Sequence, residues 1–164
     1  GGFAHIQEKM AEIIDTVETT RAYLRAAEAD AGPWRGEGIW LAPEPCAALR
    51  NSWPEMYARV VAILQQMAAG GLMLTPTEAD MTGEGTPQTD KYFQGANMPA
   101  YERVRLFRLV WDLIGTEFGS RSTLYERYFN GDVVRLRQTR YASYDYTKAA
   151  GSYQAFMADL EAQP

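Results

Sequence analysis

Few side chains in this sequence could carry chemistry. It has one histidine, His5, and one cysteine, Cys46. His5 could serve as a catalytic base, but no nucleophile lies near it in sequence, so no Ser/His/Asp set assembles. On a helix face such a histidine is more often a structural residue. There is no Glu-x-x-His pair for a di-iron centre, no G-x-G-x-x-G, no P-loop and no zinc spacing, and a lone cysteine excludes an internal disulfide and an all-cysteine metal site. No metal is therefore expected. What remains is Phe118-Gly119-Ser120-Arg121. A Gly-Ser break between two helical runs would present backbone N–H groups at a new helix start, with positive potential from the helix dipole. Arg121 adds a planar fork suited to phosphate oxygens, so these four residues are candidates for holding a pyrophosphate. The same residues also fit a plain kink between two aromatic-rich helices.

The elements that must position these residues are helical. Apolar residues at Phe3, Ile6, Met10, Ile13, Val17, Leu24 and Ala27, with Thr20 filling the remaining slot, alternate three and four apart, predicting a helix from Phe3 to about Ala29 with a buried seam. Gly32-Pro33 stops it. Residues 30–53 read as a loop pinned to a surface by Trp34, Ile39, Trp40 and Leu41. Ser52-Trp53-Pro54-Glu55 has the form of a capping box with Pro in the first turn, predicting a second helix to about Ala69. Gly70-Gly71 is expected to end it in the left-handed conformation. Residues 72–98 read as irregular. Pro99 opens a third long helix burying Val104, Phe107, Trp111, Ile114 and Phe118, with a break at Gly119-Ser120. Asp132 is placed to cap a helix from Val133 to about Ser143. A last helix, about Lys148 to Ala162, is expected to bury Tyr153, Phe156, Met157 and Leu160. The fold class is all-α, an antiparallel helical bundle with long irregular connections. The expected domains are a bundle over residues 1–146 and a tail helix over 147–164 that docks on a neighbouring subunit or on its own bundle.

Composition bounds the partners. The chain has 164 residues, a net charge of −5 and no apolar run long enough to span a membrane. The acidic balance argues against nucleic acid. The single cysteine fits the cytoplasm. Charge is uneven: residues 1–100 carry 7 Lys/Arg against 13 Asp/Glu, whereas residues 101–140 carry 8 arginines against 5 acids. An arginine-rich segment in an acidic chain suits local anion binding, or else a solvated helix face with internal ion pairs.

Two long stretches carry a family resemblance. Arg105-Leu106-Phe107-Arg108-Leu109-Val110-Trp111-Asp112-Leu113, then Gly115, Phe118-Gly119-Ser120-Arg121 and Leu124 to Asp132, resemble the C-terminal signature of the 4-hydroxyphenylacetate 3-hydroxylase family. There the pattern runs roughly as an LFRLAWDL helix, an FGGR turn and an LYERFF-x-GDP run. His5 to Lys9 matches its HVQEK-type helix, and Gly70-Gly71-Leu72-Met73 with Pro76 and Glu78-Ala79-Asp80 resembles its GGGLM…PSEAD loop.

The resemblance implies a fold similar to the C-terminal domain of acyl-CoA dehydrogenases, in a chain that lacks the N-terminal and β-barrel domains. It also implies the oxygenase component of a two-component monooxygenase. That enzyme uses FAD, reduced to FADH2 by a separate NAD(P)H-flavin reductase, to hydroxylate a small phenolic substrate ortho to its hydroxyl, usually as a homotetramer. It places Phe118, Gly119, Ser120 and Arg121 against the flavin dinucleotide and His5 facing the flavin cavity. Ser120 stands where the family has a second glycine. A related 4-hydroxybutyryl-CoA dehydratase carries an iron–sulfur cluster on a His and a Cys two turns apart; here Glu12 stands seven residues after His5, which disfavours that alternative. A non-catalytic helical assembly module is the other alternative.

Overall fold

The computed structural model describes residues 2–36 and 38–162. They form two compact units, residues 1–130 and 131–164. The first holds α1 (Ala4–Ala29), a short hairpin of β1 (Gly32–Pro33) and β2 (Ile39–Trp40), and α2 (Pro43–Ala68). It continues with three short helices, α3 (Gly70–Met73), α4 (Glu78–Thr82) and α5 (Thr86–Phe93), then α6 (Ala100–Ile114) and α7 (Glu117–Tyr128). The second unit holds α8 (Val133–Ser143) and α9 (Thr147–Glu161). The all-α expectation holds. Among the described residues, no helix is long and apolar enough to cross a membrane.

The long helix α2 is the spine of the first unit, with α1 along one side and α7 along another. Ile63 is fully buried, and Val61 joins Leu72 of α3 and Ile114 of α6 in a core flanked by Phe107, Val110 and Trp111. α1 is held to α2 by a two-pronged ion pair from Arg59 to Glu12, one prong spanning 2.8 Å. The expected seam of α1 is only partly covered. Ala27 is buried, but Phe3, Met10, Val17 and Leu24 are exposed, because α2 covers one side of the helix only.

The second helix starts well before Ser52. Pro43 occupies its first turn, followed by Glu44, and both Ser52 and Pro54 lie in the interior. The Ser52 hydroxyl donates back to the Ala48 carbonyl (3.0 Å), and Asn51 Nδ2 donates to that of Ala47 (2.9 Å). Side chains thus engage carbonyls of the turn before Pro54, whose own N–H is missing, and Pro54 is buried. Packing along α7 overrides the local capping signal. At the other end the left-handed residue is Ala69, with φ 47°, rather than Gly70; Gly70 and Gly71 belong to α3. The hairpin is also not pinned down. Its two-residue ladder leaves Trp34, Ile39, Trp40 and Leu41 exposed, and the two indoles pack on each other with centroids 6.3 Å apart.

Residues 72–98 are more regular than expected. Thr77 and Asp80 form a capping box at α4, and Pro87 lies in the first turn of α5. Asp132 caps α8 as expected, accepting from Arg135 N at 2.9 Å. In the second unit the apolar residues Tyr153, Phe156 and Leu160 of α9 are exposed rather than buried.

Candidate functional site

The helix break expected at Gly119-Ser120 lies four residues earlier. α6 ends at Gly115, whose N–H donates to the Trp111 carbonyl at 2.7 Å. The Trp111 indole lies so close that a Cβ at Gly115 would stand 2.3 Å from it. Thr116 then caps α7, its hydroxyl accepting from Gly119 N at 3.0 Å. Gly119 and Ser120 therefore sit in the first turn of α7.

Gly119 is there because of packing. A Cβ on it would stand 2.7 Å from the Leu113 carbonyl oxygen and 2.9 Å from its carbon. The first turn of α7 thus rests directly on the backbone at the end of α6. Ser120 beside it is exposed, so the serine costs that contact nothing. The turn between the helices also re-aims Phe118. Expected to continue the buried stripe of α6, it is 78 % exposed.

Phe118, Arg121, Ser122 and Tyr125 together line a pocket of about 390 Å³ on the outer face of α7. Their spacing of three, four and seven residues from Phe118 puts all four on one side of the helix. Two exposed aromatic rings bracket one guanidinium and one hydroxyl. Tyr125 is itself held by stacking on Phe129, with centroids 5.1 Å apart. Ser122 and Tyr125 are not singled out by the sequence reading; their spacing of four and seven residues from Phe118 is the signal that places them on its side of the helix.

The surplus arginines sort themselves in the structure. Arg103 lies over the Phe93 and Phe107 rings at 5.0 and 5.1 Å and donates to the Phe93 carbonyl at 3.1 Å. Arg108 donates to the carbonyls of Thr75 and Pro76. Arg105 pairs with Glu102 at 3.2 Å, and Arg127 lies over Tyr128. These four are engaged in holding the connection before α6 or in surface pairs. Arg121 has no partner among the described residues and faces the pocket.

His5 sits elsewhere, exposed in the first turn of α1 and stacked on Phe3 at 5.8 Å. Among the described residues it shares no hydrogen bond or ring contact with residues 118–121. Three or more metal-ligating side chains do not cluster anywhere among the described residues.

A second, larger cleft of about 710 Å³ opens between α1, α2 and the residues following α7. Trp53, which lines it, donates Nε1–H to Glu126 Oε2 at 2.7 Å, tying α2 to α7.

A family model described as 4-hydroxyphenylacetate 3-hydroxylase C terminal matches residues 1–158. The oxygenase component of 4-hydroxyphenylacetate 3-monooxygenase from Thermus thermophilus is 42% identical over 159 residues, 96% of this chain and 33% of that protein. A solved oxygenase component of 4-hydroxyphenylacetate 3-monooxygenase, complexed with FAD and 4-hydroxyphenylacetate, superposes with a TM-score of 0.90 at 39% identity. That match covers 96% of this chain and 33% of the other. An archaeal 4-hydroxybutyryl-CoA dehydratase from N. maritimus gives a TM-score of 0.79 at 18% identity, covering 94% and 32% of the two chains, a likeness of fold alone. Both neighbours have the acyl-CoA dehydrogenase-like fold. The chain spans about a third of the length of the relatives it matches.

Proposed function

The chain belongs to the 4-hydroxyphenylacetate 3-hydroxylase family, and on that premise we propose that it is the C-terminal helical part of an FADH2-utilising monooxygenase. The whole protein hydroxylates a small phenolic substrate ortho to its hydroxyl, takes its reduced flavin from a separate reductase and works in the cytoplasm. The relatives' names and the FAD-complexed neighbour support the flavin-dependent monooxygenase part of this reading, and the single cysteine fits the cytoplasm.

The part played by this chain is to hold the dinucleotide end of FAD on the outer face of α7. The observation that carries it is Arg121, the arginine between residues 101 and 130 that is left unpaired, set between the exposed rings of Phe118 and Tyr125. A guanidinium offers paired donors to pyrophosphate oxygens, and flanking rings offer stacking for a base. The pocket of about 390 Å³ is lined by four side chains of one helix, enough to engage part of a dinucleotide. The remaining walls come from outside this chain. When bound, reduced flavin supplies the electrons that activate dioxygen. The residues here position the cofactor and take no part in moving its electrons. His5 faces the same cavity only if the remaining domains bring the start of α1 to it. The uncovered apolar face of α9 (within the 147–164 tail) docks on a neighbouring subunit, and the bundle of residues 1–146 helps build a homotetramer.

The test is FAD affinity of the full-length oxygenase carrying Arg121→Ala. Loss of one charge-assisted contact is expected to weaken binding about tenfold or more. Unchanged affinity in an intact oligomer would instead support a purely architectural role.

A further inference from the structure

The three–four seam of α1 splits lengthwise in the structure. The column Ile6, Ile13, Thr20 and Ala27 is half-buried to buried where α2 lies along the helix. The other column, Phe3, Met10, Val17 and Leu24, recurs at every seventh residue and faces solvent, from 42 % exposed at Met10 to 70 % at Phe3. Ile14, 56 % exposed, lies beside Met10 and Val17 on the outer side. These five side chains make an exposed apolar strip about 30 Å long.

A seven-residue repeat on a helix marks a helical partner, because a second helix meets the same column turn after turn. The strip is also matched to itself. Turned end for end about a two-fold axis beside Ile14, it sets Ile14 on Ile14, Met10 opposite Val17 and Phe3 opposite Leu24, apolar on apolar in each layer. The residues bordering its outer side are Ala4, Ala11, Glu18 and Arg25, all exposed. Across the joint, Glu18 meets Ala11 and Arg25 meets Ala4, so each long side chain faces a small one. Glu8, one turn from Ala4, comes within reach of the second copy's Arg25, and the two-fold makes that opposite-charge pair twice. A parallel pair would instead set Glu18 on Glu18 and Arg25 on Arg25, and like charges repel.

We propose that α1 pairs antiparallel with α1 of a second copy of this chain through this strip. The pairing deepens the homotetramer reading by naming one of its two-fold contacts, and rests on that reading for its place in the full-length enzyme. The contact follows one helix face, which puts it in the small, reversible class of interfaces. A globular domain laid over α1 would bury the same side chains, but it would call for neither the seven-residue repeat nor alanines facing Glu18 and Arg25.

The experiment is sedimentation equilibrium of the 164-residue chain from about 1 to 100 μM. A reversible monomer–dimer equilibrium is expected. Val17→Glu, at an exposed position that spares the α2 contact, should weaken it about tenfold or more, because pairing would bury a charge. Ile39→Glu, on the exposed hairpin away from the strip, should leave it unchanged, which separates pairing from general apolar association. Orientation is read in a Cys46→Ser background by mixing Met10→Cys with Val17→Cys. The mixed disulfide should exceed either self-pair, since antiparallel packing holds like residues about 10 Å apart along the axis, beyond disulfide reach. A parent that stays monomeric, a dimer unmoved by Val17→Glu, or self-pairs in excess of the mixed one would overturn the proposal. The homotetramer reading is decided separately by the mass of the full-length oxygenase: a species other than a tetramer would end that reading while leaving a pair measured in the chain.

Discussion

Gly119→Ala is the sharpest test of how the α6–α7 corner is built. The added methyl would stand 2.7 Å from the Leu113 carbonyl oxygen, 2.9 Å from Leu113 C and 3.0 Å from Ile114 N. These are backbone atoms at the end of α6, so no side chain can swing away. Forcing one methyl into such a contact costs about 1–3 kcal/mol, because the first turn of α7 must lift off α6. Against this, alanine is favoured over glycine within a helix by up to about 1 kcal/mol. The first turn realises only part of that gain, so the steric cost wins and the net loss is about 1–2 kcal/mol. At roughly 2–4 °C per kcal/mol for a chain of this length, thermal unfolding should move down by about 2–8 °C. Ser120→Ala, one residue on and exposed, is the matched control and should stay within about 0.5 kcal/mol of the parent. Unfolding followed by circular dichroism reads both variants. A Gly119→Ala midpoint equal to or above the parent's would refute the packing argument, because that is the response of an ordinary solvent-facing helical glycine.

Two further predictions concern other parts of the first unit. The Asp80 carboxyl is held below the ordinary aspartate range by the Thr77 backbone N–H and then by the Thr77 hydroxyl. Its folded value is depressed, so this contribution to α4 is complete above the unfolded aspartate value and is lost as pH falls through the folded one. Thr77→Val removes the hydroxyl and keeps the N–H, so the Asp80 carboxyl resonance should titrate higher than in the parent, without fully regaining the unfolded value. An unmoved titration would contradict the assignment. Trp53→Phe removes the 2.7 Å bond to Glu126 between α2 and α7 and should cost about 1–2 kcal/mol by urea unfolding; a loss below about 0.3 kcal/mol would show that the bond does not brace the cleft.

Much of the architecture is legible in the residues because its signals are local. Asp132 three residues before Arg135, the Pro99 entrance to α6 and the three–four spacing of α1 each act within one or two turns. Misreadings cluster where a distant contact decides. Ser52-Trp53-Pro54-Glu55 has every feature of a helix start, yet α2 runs through it because Trp53 reaches Glu126, 73 residues away. The break before α7 is set by the Trp111 ring lying over Gly115, which spacing alone does not reveal. That shift moves Phe118 from an expected core position to the surface and gives Gly119 a packing role. Burial along α1 and α9 was overestimated for a related reason. A hydrophobic stripe records that a helix has a covered face, not which chain covers it. The arginine excess was visible in composition, but only the aromatic rings and carbonyls around Arg103 and Arg108 separate bracing arginines from the unpaired Arg121.

The central claim is that one face of α7 takes the dinucleotide end of FAD. The direct measurement is an amide chemical-shift titration of the chain, comparing FAD with riboflavin, which lacks the pyrophosphate and adenosine. The account predicts saturable shifts at Phe118 to Ser122 and Tyr125 with FAD and none there with riboflavin. Equal shifts with both compounds, or FAD shifts confined to residues away from α7, would contradict it.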